Sequence, residues 1–239
     1  MKLNLNARLV AAICEFKAKN DIRYYLNGVY VEPLPAGGAV IVATNGHAMG
    51  IWRDTSAEVE RPAILRIGKN LREVCQEAAD ARLELIDGRL TVTNKQKTEY
   101  HVQPNGGKDG SPASWEIARD KYPLWKAVFP DECKTGPVGM FNAAYLKLVH
   151  KALKIATGND FAGITLRQSD EKKSIFVSSS LLTDFAAIIM PMYDDSKINY
   201  PSWLSELKAA EKAAESLPTP GQQPSDAAPV DQQQEAVAT

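Results

Sequence analysis

The chain has 239 residues, 28 basic and 29 acidic, for a formal charge of −1, with 44% hydrophobic and 24% charged residues, the balance of an ordinary globular protein. No run of 18 apolar residues occurs, which excludes a helical membrane span. Three cysteines, Cys14, Cys75 and Cys133, are odd in number and widely spaced, so neither a disulfide framework nor a zinc site is expected.

The first segment, MKLNLNARLVAA, has no long apolar stretch with a cleavage site, and a cytoplasmic protein is expected. A short strand leads into a helix whose apolar face is Leu9, Ala12, Ile13 and Phe16, spaced by three and four. IRYYLNGVYVEP and AVIVATNGHAMGIWRD read as strands rich in β-branched and aromatic residues. For Asn27-Gly28 both a turn and a bulge stand open. The pattern restarts at ILRIGKNLREVCQEAAD, with Leu71, Val74, Cys75 and Ala78 on one helix face, and RLELIDGRLTVTN is a hairpin built on Asp87-Gly88. TEYHVQP is a further strand, and residues 104–114 read as a loop. A third start, GMFNAAYLKLVHKALKIA, carries Tyr145, Leu148, Val149 and Ala152 on its apolar face; AGITLRQSD, SIFVSSS and TDFAAIIMPM follow as strands.

The three starts align. Leu5, Ile67 and Phe141 occupy matching positions, as do Asn6, Gly68 and Asn142 at the helix entrance, a repeat of pattern rather than of identity. Beyond residue 193 eight acids stand against three lysines, a net −5, which leaves +4 on residues 1–193. Ser202–Glu215 is expected as a short helix capped by Ser202. Residues 217–239, rich in Pro, Gln, Ala and Asp, lack the apolar surface to offset chain entropy and are expected to be disordered. No phosphate-binding loop, nucleophile elbow or histidine pair with metal spacing occurs: His47, His101 and His150 stand apart. No enzyme, cofactor or metal is expected.

Three segments together resemble the bacterial sliding clamp, the beta subunit of DNA polymerase III: NDIRYYLNGVYVE with VATNGHAMGIW, then KYPLWKAVFP, then MFNAAYLKLVHKALK with AAIIMPM. The resemblance covers residues 1–193. It implies an α+β, DNA-clamp-like processivity fold of three strand-helix-strand units, with antiparallel sheets outside and helices on the inner face. Residues 1–130 resemble the clamp's middle domain, a complete domain of two units. Residues 136–193 resemble only the second half of its last domain. Residues 194–216 are the short terminal helix region, and 217–239 the disordered acidic tail.

The resemblance also implies a hydrophobic groove for short peptides of DNA polymerase and other replication or repair proteins. By motif its lining is Leu26, Thr44, Gly46, His47, Met49, Pro123, Val128, Ile188, Ile189, Met190, Pro191 and Met192. Such apolar side chains desolvate a peptide's anchors, and methionines adapt to different clients. Ala48 and Ala127 stand where the family commonly carries arginine, so the rim is less basic. Sequence-independent contact with double-stranded DNA is implied for Arg8, Lys19, Arg23, Tyr24, Tyr25, Lys69, Arg72, Lys147, Lys151 and Lys154. A lone half-domain leaves a sheet edge uncovered. It is expected either to pair with a copy of itself, making a homo-oligomer in which four chains hold twelve units, or to pack on the chain's own complete domain. A clamp-derived adaptor or decoy, binding clamp-directed peptides without encircling DNA, is the other functional class.

Overall fold

The computed structural model describes residues 1–77, 79–93, 97–101, 103–104, 113–117, 122–130, 132–133, 138–170 and 172–192, with positions 202, 203, 205, 206, 209 and 212. The chain divides into two units, Met1–Asp194 and Asp195–Thr239. In the second, the described positions are helical and exposed. The expected tail, residues 217–239, lies outside the described residues, as does Ala78.

Strand β1 (Lys2–Asn6) leads into α1 (Ala7–Ile13). Asn6 Oδ1 accepts the N–H groups of Arg8 at 3.0 Å and Leu9 at 3.2 Å, pairing two of the donors that a helix start leaves open. A 3-10 turn, Cys14–Phe16, prolongs α1. A second, Tyr24–Asn27, precedes β2 (Val29–Pro33). This corrects the expectation of a strand from Ile22 onward. The Asn27 carboxamide grips the Asp21 backbone from both sides, accepting its N–H at 3.0 Å and donating to its carbonyl at 2.8 Å. That clasp holds the intervening residues in a turn and buries Leu26.

The β3 (Ala39–Thr44) and β4 (Ala48–Asp54) hairpin follows, then β5 (Glu58–Val59) and β6 (Ala63–Ile67) before α2 (Lys69–Gln76). β7 (Arg82–Ile86) and β8 (Arg89–Thr93) are joined by Asp87 and Gly88 at φ 48° and 84°, the positive pair that a type I′ hairpin turn requires. Next come β9 (Lys97–His101), β10 (Gln103–Pro104) and β11 (Ala113–Ile117), the last starting inside the stretch expected as loop. Finally α3 (Ala144–Thr157) precedes β12 (Thr165–Gln168), β13 (Ile175–Ser178) and β14 (Phe185–Ile189). Gly158, left-handed at φ 74°, ends α3 and donates to Lys154 O.

One sheet runs β5-β1-β7-β8-β9, the other β10-β11-β6-β2-β3-β4-β14-β13-β12. Among the described residues, all strand pairs are antiparallel except the two-residue β10–β11 contact. The first two units exchange strands: β1 of the first lies beside β7 of the second, and β6 of the second beside β2 of the first. The third unit joins through β14, which pairs with β4 from Phe185↔Trp52 to Ile189↔Ala48. The third unit thus packs on the chain's own first unit.

Helix α1 contacts both α2 and α3. One apolar cluster joins the helices to the inward residues of both sheets. Ala7, Val10, Ala11, Ala12 and Ile13 are all fully buried, so α1 is covered on more than the single face its periodicity suggests, while Leu9 stays partly open. Gly50 on β4 is needed here, because a Cβ would lie 2.2 Å from the ring of buried Phe16. A second cluster lies on the other side of the nine-stranded sheet: Val40, Val42, Met49, Ile51, Ile64 and Ile188, covered by Tyr122. Residues on β3 are therefore buried on both faces.

Candidate functional site

The turn between β3 and β4 is built by its own side chains. Asn45 Oδ1 accepts the N–H groups of His47 and Ala48, each at 2.9 Å; Thr44 Oγ1 donates to Ala48 O and accepts from Gly46 N. Gly46 sits at φ 90°, and a Cβ there would meet the Arg23 guanidinium at 3.3 Å. Beside this turn the β4–β14 ladder continues past its last strand pair, with Met190 N donating to His47 O at 2.8 Å. The ATNGHAMG and IIMPM segments, more than 130 residues apart in sequence, are therefore hydrogen-bonded neighbours.

Residues 122–130 strap across the outer apolar cluster. Tyr122 stacks on Tyr30, centroids 4.6 Å apart, and burial pushes its phenol pKa up. A 3-10 turn, Trp125–Val128, follows. Trp125 Nε1 donates to Glu32 at 3.3 Å and Lys126 Nζ to the same carboxylate at 2.7 Å. Ser174 Oγ donates to Val128 O at 2.8 Å, and Phe129 meets Phe176 edge-on. The strap stops short of the turn and leaves a cleft of about 180 Å³.

Buried Leu26, Met49 and Ile188 form the cleft's floor; Thr44, Gly46, His47, Pro123, Val128 and Met190 stand around it. Nine of the twelve expected lining residues thus converge. Ile189 is a correction. Strand side chains alternate faces, so with Ile188 and Met190 toward the cleft, Ile189 points into the helix-side core at 0% exposure. Pro191 lines an adjoining hollow of about 510 Å³ that shares Val128 and Met190 with the cleft and carries Lys172 and Lys173. Met192 is half exposed, and its N–H donates to Met140 O at 2.8 Å. Ala48, expected at the rim, lines the cleft, and Arg23, Leu124 and Trp125 line it without having been expected there. Leu124 is 86% exposed at its mouth, and two apolar residues after a proline in KYPLWKAVFP were the available signal. A larger hollow of about 820 Å³ beside β1 and β5 is lined by the charged and polar Lys2, Asn4, Glu58, Glu60, Glu84 and Asp87 together with Met1, Leu3, Val59 and Ile86, and it contains none of the expected lining residues.

The expected DNA-facing residues are dispersed and mostly engaged. Arg8 Nε donates to Ile155 O near the end of α3. Arg72 pairs with Glu15 at 2.8 Å, and Lys151 approaches the same carboxylate at 3.8 Å. Lys154 holds Asp160 at 2.7 Å, with His150 at 3.7 Å from it; the Lys154 hydrogen bond, above all, lowers the Asp160 pKa. Lys69 lies 3.9 Å from Glu73, and Lys19 and Lys147 are exposed. Arg23 belongs to the cleft and is locked on Asp21 at 2.8 Å. Tyr25 packs against the outer cluster, while Tyr24 carries the Arg66 guanidinium 5.1 Å from its ring centre. His101 side-chain surroundings lie outside the described residues. Among the described residues, no three His, Cys, Asp or Glu side chains converge as metal ligands, and no helix is long and apolar enough to cross a membrane.

Helices packed on strand-exchanged antiparallel sheets, with one sheet running unbroken into a third unit, make this the α+β fold of the bacterial DNA sliding clamps. The similar solved structures include the DNA polymerase III beta subunit of Borrelia burgdorferi in complex with a natural product, 16% identical with a TM-score of 0.56. Two from Pseudomonas aeruginosa, a sliding clamp with ligand and a DNA polymerase III beta subunit, are 16% and 17% identical with TM-scores of 0.53 and 0.54. Each match covers 81% of this chain, which spans only 63% to 66% of the clamp chains. No protein-family model and no curated protein matches the sequence.

Proposed function

We propose that this protein is a non-catalytic, clamp-like factor that captures short peptide segments of a DNA polymerase or of other replication or repair proteins in the apolar cleft. In this reading residues 1–130 act as a complete clamp domain and 136–193 as a half-domain whose task is to supply the cleft's second wall. The observation that carries it is the union of the Asn45–His47 turn with the end of β14 and Met190 just past it. Neither segment alone makes a pocket; together with the strap they enclose an apolar hollow with few polar atoms. A peptide's aliphatic or aromatic anchor buried there gains about 1.5–3 kcal/mol, and Met49 and Met190 can reshape around different anchors.

The second reading, an adaptor that binds clamp-directed peptides without encircling DNA, is favoured by one observation. Glu15 and Asp160 neutralise much of the helix layer's positive charge. With phosphate affinity set by uncompensated cations, DNA binding without a closed ring is weak and salt-sensitive. Cytoplasmic location fits either reading.

The test is fluorescence anisotropy with a labelled peptide from the clamp-binding segment of a bacterial replicative polymerase. Saturable binding with a Kd below about 100 µM, competed by the unlabelled peptide, supports the cleft. Absence of binding at that level defeats it. Retention on nicked circular DNA, lost on linearisation, then separates a ring from an adaptor.

A further inference from the structure

We propose that the third unit completes itself with a second copy of this chain, residues 138–142 of each copy pairing with the free edge of β12 in the other. The inference rests on the strand order alone and stands apart from the reading of the cleft.

The first two units show how such a unit is completed. In each, the strand before the helix has two neighbours. One comes from the end of its own unit: β5 beside β1, β11 beside β6. The other is the strand after the helix of the opposite unit: β7 beside β1, β2 beside β6. The exchange is reciprocal, so both units are closed by one pseudo-two-fold relation.

The third unit has half of this arrangement. Residues 138–142 enter α3 as β1 enters α1, and Met192 N donates to Met140 O just as Glu60 N donates to Lys2 O in the first unit. Val138 and Phe141 pack on the core. Among the described residues, no strand of an opposite unit lies beside this segment. Likewise β12, the equivalent of β2 and β7, ends the nine-stranded sheet and pairs with β13 alone among the described residues. The segment just before it carries Phe161 at 88% exposure and Ile164 at 37%, and Met140 is 42% exposed. Open edges flanked by apolar side chains are covered in stable proteins.

The occupant must offer two things at once: a strand-before-helix for β12 and a strand-after-helix for residues 138–142. The chain's first two units have already spent theirs on each other. Another third unit carries both, uncommitted, and a two-fold axis satisfies both edges with a single contact. The surface is therefore self-complementary in its backbone hydrogen bonding, and continuous with a sheet the chain already builds.

Sedimentation equilibrium of the full chain tests this. The expected mass at about 50 µM is twice the 26.2 kDa of the chain. Phe161→Asp with Ile164→Asp, at exposed positions that leave the fold intact, and separately Thr165→Pro, which removes an edge donor, are each expected to raise the dissociation constant at least tenfold. Far-UV circular dichroism reports whether Thr165→Pro folds; if it does not, the aspartate pair decides. A species of 26.2 kDa persisting to about 500 µM overturns the proposal. So does a dimer whose dissociation constant the aspartate pair leaves unchanged.

Discussion

Ile189, the last residue of β14, and Met190, the residue just past it, are expected to fail in opposite ways when truncated. Ile189 is fully buried on the helix side, whereas Met190 is partly exposed at the cleft wall. Ile189→Ala removes three carbons from a packed core and costs about 2–5 kcal/mol of stability. For a domain of this size, where each kcal/mol moves Tm by about 2–4 °C, a mid-range loss of about 3 kcal/mol lowers Tm by about 6–12 °C. Its cleft is intact below the transition, so peptide affinity stays within about twofold. Met190→Ala leaves stability nearly unchanged but removes a contact with a bound anchor worth about 1–2 kcal/mol, a five- to thirtyfold rise in Kd. Thermal melts followed by circular dichroism, with anisotropy titrations at 25 °C, measure both quantities. If Ile189→Ala weakens the peptide as much as Met190→Ala without lowering Tm, the assignment of faces on β14 is wrong.

Three further outcomes follow from the packing. Gly50→Ala places a methyl 2.2 Å from the Phe16 ring; it is expected to cost about 1–3 kcal/mol by overpacking, and adding Phe16→Leu should recover part of the lost Tm. Burial raises the Cys14 thiol pKa to about 11 and that of Cys75 to about 12, while Cys133 is only partly buried. Iodoacetamide at pH 8 should then modify one thiol in the native protein and three after unfolding, and rapid native labelling of Cys14 or Cys75 would contradict the core. The hydrogen bond from Arg23 lowers the Asp21 pKa to about 2, below its ordinary 3.8. That pair's stabilisation is complete above 3.8 and lost as pH falls toward 2. The Tm gap between the parent and Asp21→Asn should close over that window, and a gap independent of pH refutes the pairing.

Local signals carried the fold well. Asp87-Gly88 demanded an I′ hairpin, Asn6 capped a helix, and residues spaced by three and four marked the three helices. What sequence could not supply was partnership at long range. The RYYLN segment has strand propensity, yet the Asn27 carboxamide clasping Asp21 turns it into a 3-10 bend. The basic helix residues look free in sequence because their neutralising partners, Glu15 and Asp160, lie on other elements or past the helix end. In the cleft, motif matching found the segments, but treating IIMPM as one lining ignored strand alternation and so included Ile189. Leu124 and Trp125 enter because the 3-10 turn of the strap brings them round to the mouth, a geometry no spacing rule announces.

The cleft's role is tested most directly by methyl NMR of Ile- and Met-labelled protein titrated with the polymerase peptide. The account predicts saturable shifts at Met49, Ile188 and Met190, with Ile175 and Ile189 on the opposite face unmoved. Shifts confined to methyls away from the cleft, or none at saturating peptide, would contradict it.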